Sequence, residues 1–302
     1  MPPARLHLVD GTFELFRAHF SKRPGHLAPD GREVKATVGI AMSLLALLHD
    51  AAEAVTHVAV AFDNPIRSFR NDLFPAYKSD EGVPPELRAQ FDLAEEATRA
   101  LGVTVWSMRE FEADDALATG AARFAPDVEQ VRILTPDKDL GQCLTGRRVV
   151  QVDRMRRKEI DEEALRARRG IAPESVPDFL ALVGDDADGI PGLPGFGERT
   201  AADLLGRHLH LEDIPADPGA WPSTIRNPRQ LAAELASSRE VLLYRRLATL
   251  VRDVPLRESL DDLAWRGLPR GPFQAWCDAL GARAFLATLE ARATRWAPAD
   301  GR

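Results

Sequence analysis

The sequence is poor in cysteine and lysine, and it lacks long apolar runs. Two cysteines in 302 residues, Cys143 and Cys277, are too few for a disulfide framework and fit a reducing compartment. No stretch approaches the roughly 20 apolar residues of a membrane span, and the apolar run in MPPARLHLVDG is too short for a signal peptide. A soluble, cytoplasmic protein with no membrane partner is therefore expected. Internal repeats and low-complexity segments are absent. Only five of the 39 basic residues are lysine (Lys22, Lys35, Lys78, Lys138 and Lys158), so each stands out in a chain that otherwise uses arginine. The net charge of −7 weighs at first against a nucleic-acid partner.

What is present is an ordinary globular composition with a clear order of patterns. Short β-branched runs bounded by turn signals recur in the first half: LHLVD, VTHVAVAFD, VTVWSM, VRILTPD and RVVQVD. Helical patterns such as VGIAMSLLALLHDAAEA and ADDALATGAARFA lie between them. Strands alternating with helices predict an α/β fold, a mainly parallel sheet flanked by helices, over residues 1–160. From about residue 160 the strands stop, and residues 161–302 read as α-helical, ending in GPFQAWCDALGARAFLATLEARATRW. The polar stretch SDEGVPPELRAQF, 79–91, reads either as a mobile insertion or as a loop leading into a surface helix.

The acids are placed unevenly. Asp10 and Asp63 end two strand-like runs, Asp137 and Asp139 follow a third, and Glu112, Asp114 and Asp115 open a helix on the same side. In an open parallel sheet the ligand crevice lies beyond the carboxyl ends of the strands, so these groups share one rim. Asp185 and Asp188 complete a set of nine. Singly, each reads equally as a helix cap or a turn residue. Together they would repel one another unless divalent cations neutralised them, and oxygen ligands without histidine or cysteine select Mg²⁺ or Mn²⁺. Setting the nine aside leaves 37 acids against 39 basic residues, so the remaining surface is near +2.

The stretch LVGDDADGIPGLPGFG joins three carboxylates to a Gly/Pro run whose Gly192, Gly195 and Gly197 allow a backbone phosphate nest ahead of a helix near Glu198. Carboxylates that hold cations and a hairpin that holds phosphates further along the strand reconcile the two demands.

These residues resemble the 5′ nuclease family: the 5′→3′ exonuclease domain of bacterial DNA polymerase I, phage 5′ exonucleases and flap endonucleases. LVDG, AFDNPIRSFRNDLFPAYK, EFEADDALA, ILTPDKDLGQCL and VGDDADGIPGLPGFGERTA carry the resemblance in order, and SSREVLLYRRLATLVRDVPL extends it. It implies a PIN-like core (1–160) with an arch segment over about 70–95, and a helical DNA-binding region (161–302) with a helix–three-turn–helix hairpin over 184–205. It also implies a stand-alone member without a polymerase domain.

By resemblance, the nine acids bind two metal ions. Asp114, Asp137 and Asp139 hold the more central one, Asp10, Asp63, Glu112 and Asp115 complete the set, and Asp185 and Asp188 lean towards the second. Lys78 is then the active-site lysine, Tyr77 an aromatic that stacks on a base, and Arg70 a DNA-contacting residue. Gly192, Gly195, Gly197 and Arg199 bind duplex phosphates beside a K⁺ ion. The implied partners are DNA with 5′ ends, flaps or nicks, with RNA primers left open, and the implied state is a monomer.

Three positions depart from the family pattern. Glu81 stands where a second basic residue follows the YK pair, Gly189 replaces an asparagine, and Arg199 replaces a lysine of different geometry. A haloacid-dehalogenase-type phosphatase is excluded, because Leu8 stands where its nucleophilic aspartate would be. A PIN-type ribonuclease and a non-catalytic DNA-binding protein are the competing readings; neither accounts for both the hairpin and the full set of acids.

Overall fold

The computed structural model describes residues 4–283 and 295–298. Six strands form one sheet: β1 (Arg5–Asp10), β2 (His57–Asp63), β3 (Thr104–Met108), β4 (Gln130–Leu134), β5 (Val149–Asp153) and β6 (Lys158–Ile160). Their order is β3-β2-β1-β4-β5-β6, parallel throughout except for β6, which pairs antiparallel with β5. The mainly parallel α/β expectation therefore holds. The order reverses between β1 and β4, which opens a crevice at the carboxyl ends of these two central strands.

Alternation decides the faces. Val9, Val58, Val60 and Phe62 point into one core, with α1 (Gly11–His19), α2 (Lys35–Leu48) and further helices over them. Leu6, Leu8, Ala59 and Ala61 point into the other, covered by the helix that opens the EADD run (Ala113–Phe124). Both faces are covered, so the central strands read as near-continuous apolar runs.

Between β2 and β3 the chain makes two short helices, α3 (Arg70–Leu73) and α4 (Pro85–Arg88), then α5 (Phe91–Ala100). Leu87 and Gln90 are fully buried, and the Gln90 side-chain oxygen accepts from the amide and hydroxyl of Thr37 on α2, at 3.0 and 3.2 Å. Of the two readings of 79–91, the loop leading into a helix is the one observed: the span expected as an arch is docked on α2 along its second half.

The helix Ala113–Phe124 is α6; beyond the sheet follow α7 (Glu162–Arg169), α8 (Val176–Val183), α9 (Glu198–His208), α10 (Pro228–Ser237), α11 (Glu240–Ala248) and α12 (Arg270–Ala279). Helices α7 to α11 build their own core around Phe179, Leu180, Leu204, Leu205 and Leu247. The region expected as one helical unit over 161–302 divides, however. Leu250, Val254 and Leu263 pack under α6, while Trp265, Leu268, Phe273 and Trp276 join the core of α2 and α5. Buried indoles need partners, and the Trp265 N–H finds the Leu101 carbonyl at 3.0 Å. The final helical pattern beyond residue 283 lies outside the described residues apart from 295–298. Among the described residues no helix is long and apolar enough to cross a membrane.

Between α8 and α9 the backbone doubles back on itself. Gly184 (φ +90°) and Gly192 (φ +71°) face each other so closely that a Cβ on Gly192 would lie 2.5 Å from the Gly184 nitrogen. Replacing Gly192 with alanine should therefore cost about 2–4 kcal/mol, from both the left-handed backbone and the clash. Gly197, at φ −97° with open space where its Cβ would point, should tolerate alanine within about 1 kcal/mol. Urea unfolding midpoints of the two variants check this; equal midpoints would refute it.

Candidate active site

Three strand ends, those of β1, β2 and β4, deliver acids through local devices. Asp10 closes β1 and caps α1, accepting from the Phe13 amide at 2.8 Å and the Thr135 hydroxyl at 2.9 Å. Asp63 closes β2 and accepts from the Ala113 amide at 2.7 Å, which ties the start of α6 to the rim. Asp137 follows β4 and accepts from the Asp139 amide at 2.9 Å. Gln151 on β5 holds this loop in turn, donating to the carbonyls of Thr135 (3.0 Å) and Asp137. The loop 185–190 closes on itself through reciprocal Asp185–Ile190 backbone hydrogen bonds of 2.7 and 2.8 Å. It docks where Gly189 (φ +72°) meets the Ala76 carbonyl, 2.5 Å from where a Cβ would be. The departure at Gly189 is thus a packing requirement of the turn.

Asp10, Asp63, Asp114, Asp137 and Asp188 line one cleft of about 600 Å³ together with Lys78 and Glu81. Adjoining it through Asp188, one carboxylate oxygen each from Asp139, Asp185 and Asp188 lies within 4.8 Å of the others. Asp139 Oδ1 is buried and has no hydrogen-bond partner. Burial is the first cause that pushes the Asp10, Asp63, Asp114, Asp139 and Asp188 carboxyls up, Asp10 to about 7. Neighbouring carboxylates add to it: Asp137 acts on Asp10, Asp114, Asp139 and Asp188, and Glu112 on Asp63. A buried carboxylate oxygen without a donor, inside a set of hard oxygen ligands, is what a divalent cation satisfies. The residues fit such an ion.

Two lysines share the neutralisation. Lys78 Nζ lies 2.8 Å from Glu112 and 3.2 Å from Asp188; Lys138 Nζ lies 2.8 Å from Asp185. Burial alone would push Glu112 up, but Lys78 and Arg70 hold its carboxyl below the usual range. Lys138 and Gln151 were not singled out for this site from the sequence. The scarcity of lysine was the one available signal for Lys138; Gln151 gave none.

Three sequence expectations are corrected. Arg70 is fully buried and makes a bidentate pair with Asp115, both contacts at 2.7 Å, while also donating to the carbonyls of Leu247 and Thr249. It cannot reach DNA. Asp115 is correspondingly withdrawn from the metal set: it binds Arg70 and accepts from the amides of Glu112 (3.0 Å) and Val251 (2.8 Å), on the side of α6 away from the cleft. Tyr77 is buried, its hydroxyl donating to Asp188 (3.1 Å) and Glu112 (3.3 Å), so its ring is not available for stacking on a base. Glu112 is engaged at both oxygens, by Ser68 and Arg70 on one and by Lys78 and Tyr77 on the other. Of the hairpin glycines, Gly192 is buried in the turn, whereas Gly195, Gly197 and Arg199 are exposed, with Gly197 capping α9.

Comparison with known proteins agrees with this architecture. Residues 5–170 match the profile of the 5′-3′ exonuclease, N-terminal resolvase-like domain, and residues 171–270 that of the 5′-3′ exonuclease, C-terminal SAM fold. DNA polymerase I of Bacillus caldotenax is 34% identical over 295 residues, covering 95% of this chain and 32% of that protein. DNA polymerase I of Rhizobium leguminosarum is 37% identical over 264 residues, covering 85% and 26%. The chain thus spans about a third or less of the length of these relatives. Among solved structures, T5 5′-exonuclease with divalent zinc bound superposes with a TM-score of 0.62 at 22% identity, covering 80% of this chain and 88% of that one. The catalytic core of Rad2 in complex with DNA substrate superposes at 0.58 and 14% identity, covering 95% and 90%. These two similarities establish the shared fold. With both halves of the chain matched in sequence and the fold matched in structure, the chain belongs to the 5′-3′ exonuclease family.

Proposed function

We propose that this chain is a structure-dependent 5′→3′ exonuclease and 5′-flap endonuclease acting on DNA with 5′ ends, flaps or nicks, as a cytoplasmic monomer. The reading extends to 5′ strands of RNA. The observation that carries it is the orphaned, buried Asp139 oxygen beside Asp185 and Asp188, on the rim shared with Asp10, Asp63, Asp114 and Asp137. Asp114, Asp137 and Asp139, with Asp10 and Asp63, would hold one Mg²⁺ or Mn²⁺, and Asp185 and Asp188 a second. Bound there, the ions supply charge neutralisation at phosphorus and activation of the attacking water.

The reaction adds water across one P–O bond, leaving a phosphate monoester and a hydroxyl. Lys78, held between Glu112 and Asp188 at the cleft, presents an ammonium to the scissile phosphate. Tyr77 keeps Glu112 and Asp188 in place, because burial raises its phenol well above the ordinary value and it remains a donor. The exposed Gly195, Gly197 and Arg199, at the start of the eleven-residue α9, are offered to duplex phosphates, with K⁺ as the accompanying cation.

Labelled 5′-flap, nicked, blunt and single-stranded DNAs, and an RNA-flap counterpart, incubated with Mg²⁺ or EDTA test this directly. Cleavage should require Mg²⁺, and Asp139→Asn should lower turnover at least about a hundredfold while changing DNA affinity severalfold at most. Near-wild-type turnover of that variant in Mg²⁺ would remove Asp139 from the site.

Glu81 lines the same cleft as the acids and faces any strand that enters it. Glu81→Arg should tighten binding of single-stranded 5′ flaps at low salt, by about three- to tenfold, and affect flapless nicked duplex less. Identical flap affinities for variant and wild type at low salt would place residues 79–84 away from the strand.

A further inference from the structure

Beside the acidic cleft lies a second cleft of about 360 Å³ with the opposite charge. Lys138, Arg156, Lys158, Arg168 and Arg169 line it, against the single carboxylate of Asp153. Asp153 is already paired with Arg156 at 2.9 Å. Lys158 and Arg168 are exposed and have no carboxylate partner among the described residues. Arg169 is half-buried over the Phe179 ring, and its Nη1 is buried without a hydrogen-bond partner. Burial and the neighbouring Arg168 hold its guanidinium below its ordinary value. A cationic donor left unsatisfied in this way is costly unless an anion meets it.

Position relates the two clefts. Thr135 and Pro136 line both, so one short ridge separates the carboxylates from the cations. Lys138 stands at the junction, lining the basic cleft while its Nζ reaches back to Asp185. A chain of phosphates that crosses the acidic cleft and passes this ridge meets five basic side chains within a few residues of the reacting bond.

We infer that the cleft of Lys138, Arg156, Lys158, Arg168 and Arg169 is a phosphate-binding subsite for the nucleic-acid strand that continues past the scissile bond across the Thr135–Pro136 ridge. It rests on the nuclease reading above. It gives sequence-independent grip on the backbone without touching the carboxylates, and it accounts for three cations of the cleft, Lys158, Arg168 and Arg169, that have no carboxylate partner among the described residues. Its ligand is a polynucleotide backbone, since the cations line a cleft that adjoins the reaction site at Thr135 and Pro136 rather than ringing a single point.

Fluorescein-labelled nicked DNA carrying a 5′ flap, titrated in EDTA over a series of NaCl concentrations, provides the test. Lys158→Gln/Arg168→Gln alters two exposed side chains and should fold normally, as a melting curve verifies. Its affinity at low salt should fall about tenfold or more, and the slope of log K against log salt should become shallower by about 1.8, roughly 0.9 per lost phosphate contact. Turnover at saturating DNA in Mg²⁺ should stay within about twofold of wild type. The control Arg123→Gln/Arg148→Gln, at the opposite end of the sheet, should leave the slope unchanged. A slope equal to wild type, with or without a change in affinity, overturns the subsite, as does an equal change in the control. Wild-type protein that leaves the same DNA intact in Mg²⁺ would instead refute the nuclease reading, and the slope comparison would still report on the cleft.

Discussion

The repulsion among buried carboxylates at one end of the sheet is the constraint around which the structure is organised. Two like charges a few ångströms apart in a poorly solvated cleft cost several kcal/mol unless something offsets them. The fold gathers such groups from three parallel strands, the start of α6 and a loop of the helical region. In the protein alone the offset comes from amides at caps and turns, from Lys78 and Lys138, and from the upward drift of several carboxyls towards their neutral forms. The site is thus built to be incomplete without added positive charge, and its rigidity comes from backbone donors that do not compete for the open oxygens.

That arrangement requires the loop 185–190, which belongs to the helical region, to arrive at the rim of the α/β core with little tolerance. Backbone contacts that exclude side chains secure it: Gly184 against Gly192, Gly189 against Ala76, and the Lys78 amide donating to the Asp188 carbonyl at 3.0 Å. The same segment 76–78 carries Tyr77 and Lys78, so the loop and its counter-cation are positioned by one another. The Arg70–Asp115 pair secures the other side of α6. Buried and bidentate, it fastens α3 and the stretch 247–251 to the first turn of the helix that bears Asp114. Removing one partner of such a pair leaves an uncompensated buried charge, at a cost of about 3–5 kcal/mol.

The alternation of apolar runs was enough to read the sheet, and the rule that ligands lie beyond strand ends was enough to read the rim. Asp10, Asp63, Asp137 and Asp139 were legible because they directly follow strand patterns, and Asp114 because it opens a helix on the same side. Direction around a helix was not legible: Asp114 and Asp115 are adjacent, yet about 100° of helical turn sends one to the cleft and the other to Arg70. Burial of polar side chains was hidden for the same reason. Arg70 and Tyr77 lie in a stretch of ordinary polarity, and only the packing of distant segments shows that their partners are inside. The return of residues 250–282 to the α/β core was equally hidden, since a helical pattern does not state which core its apolar stripe joins.

Charge is distributed in a way that reconciles an acidic chain with the proposed nucleic-acid role. A uniformly basic surface would bind phosphates everywhere and hold the strand at no particular register. Here the centre repels the backbone until cations are present, whereas the surroundings attract it through exposed arginines and lysines. Glu81 and the apolar Phe13, Phe16 and Phe20 line the acidic cleft and are not part of the basic one. A backbone held only at its flanks would be free to shift along its length, and the proposed occupation of the carboxylates by cations would convert that loose hold into a single register. On the proposed reading, the negative net charge is no argument against DNA: it is concentrated at a site where binding of the strand and of cations would depend on each other.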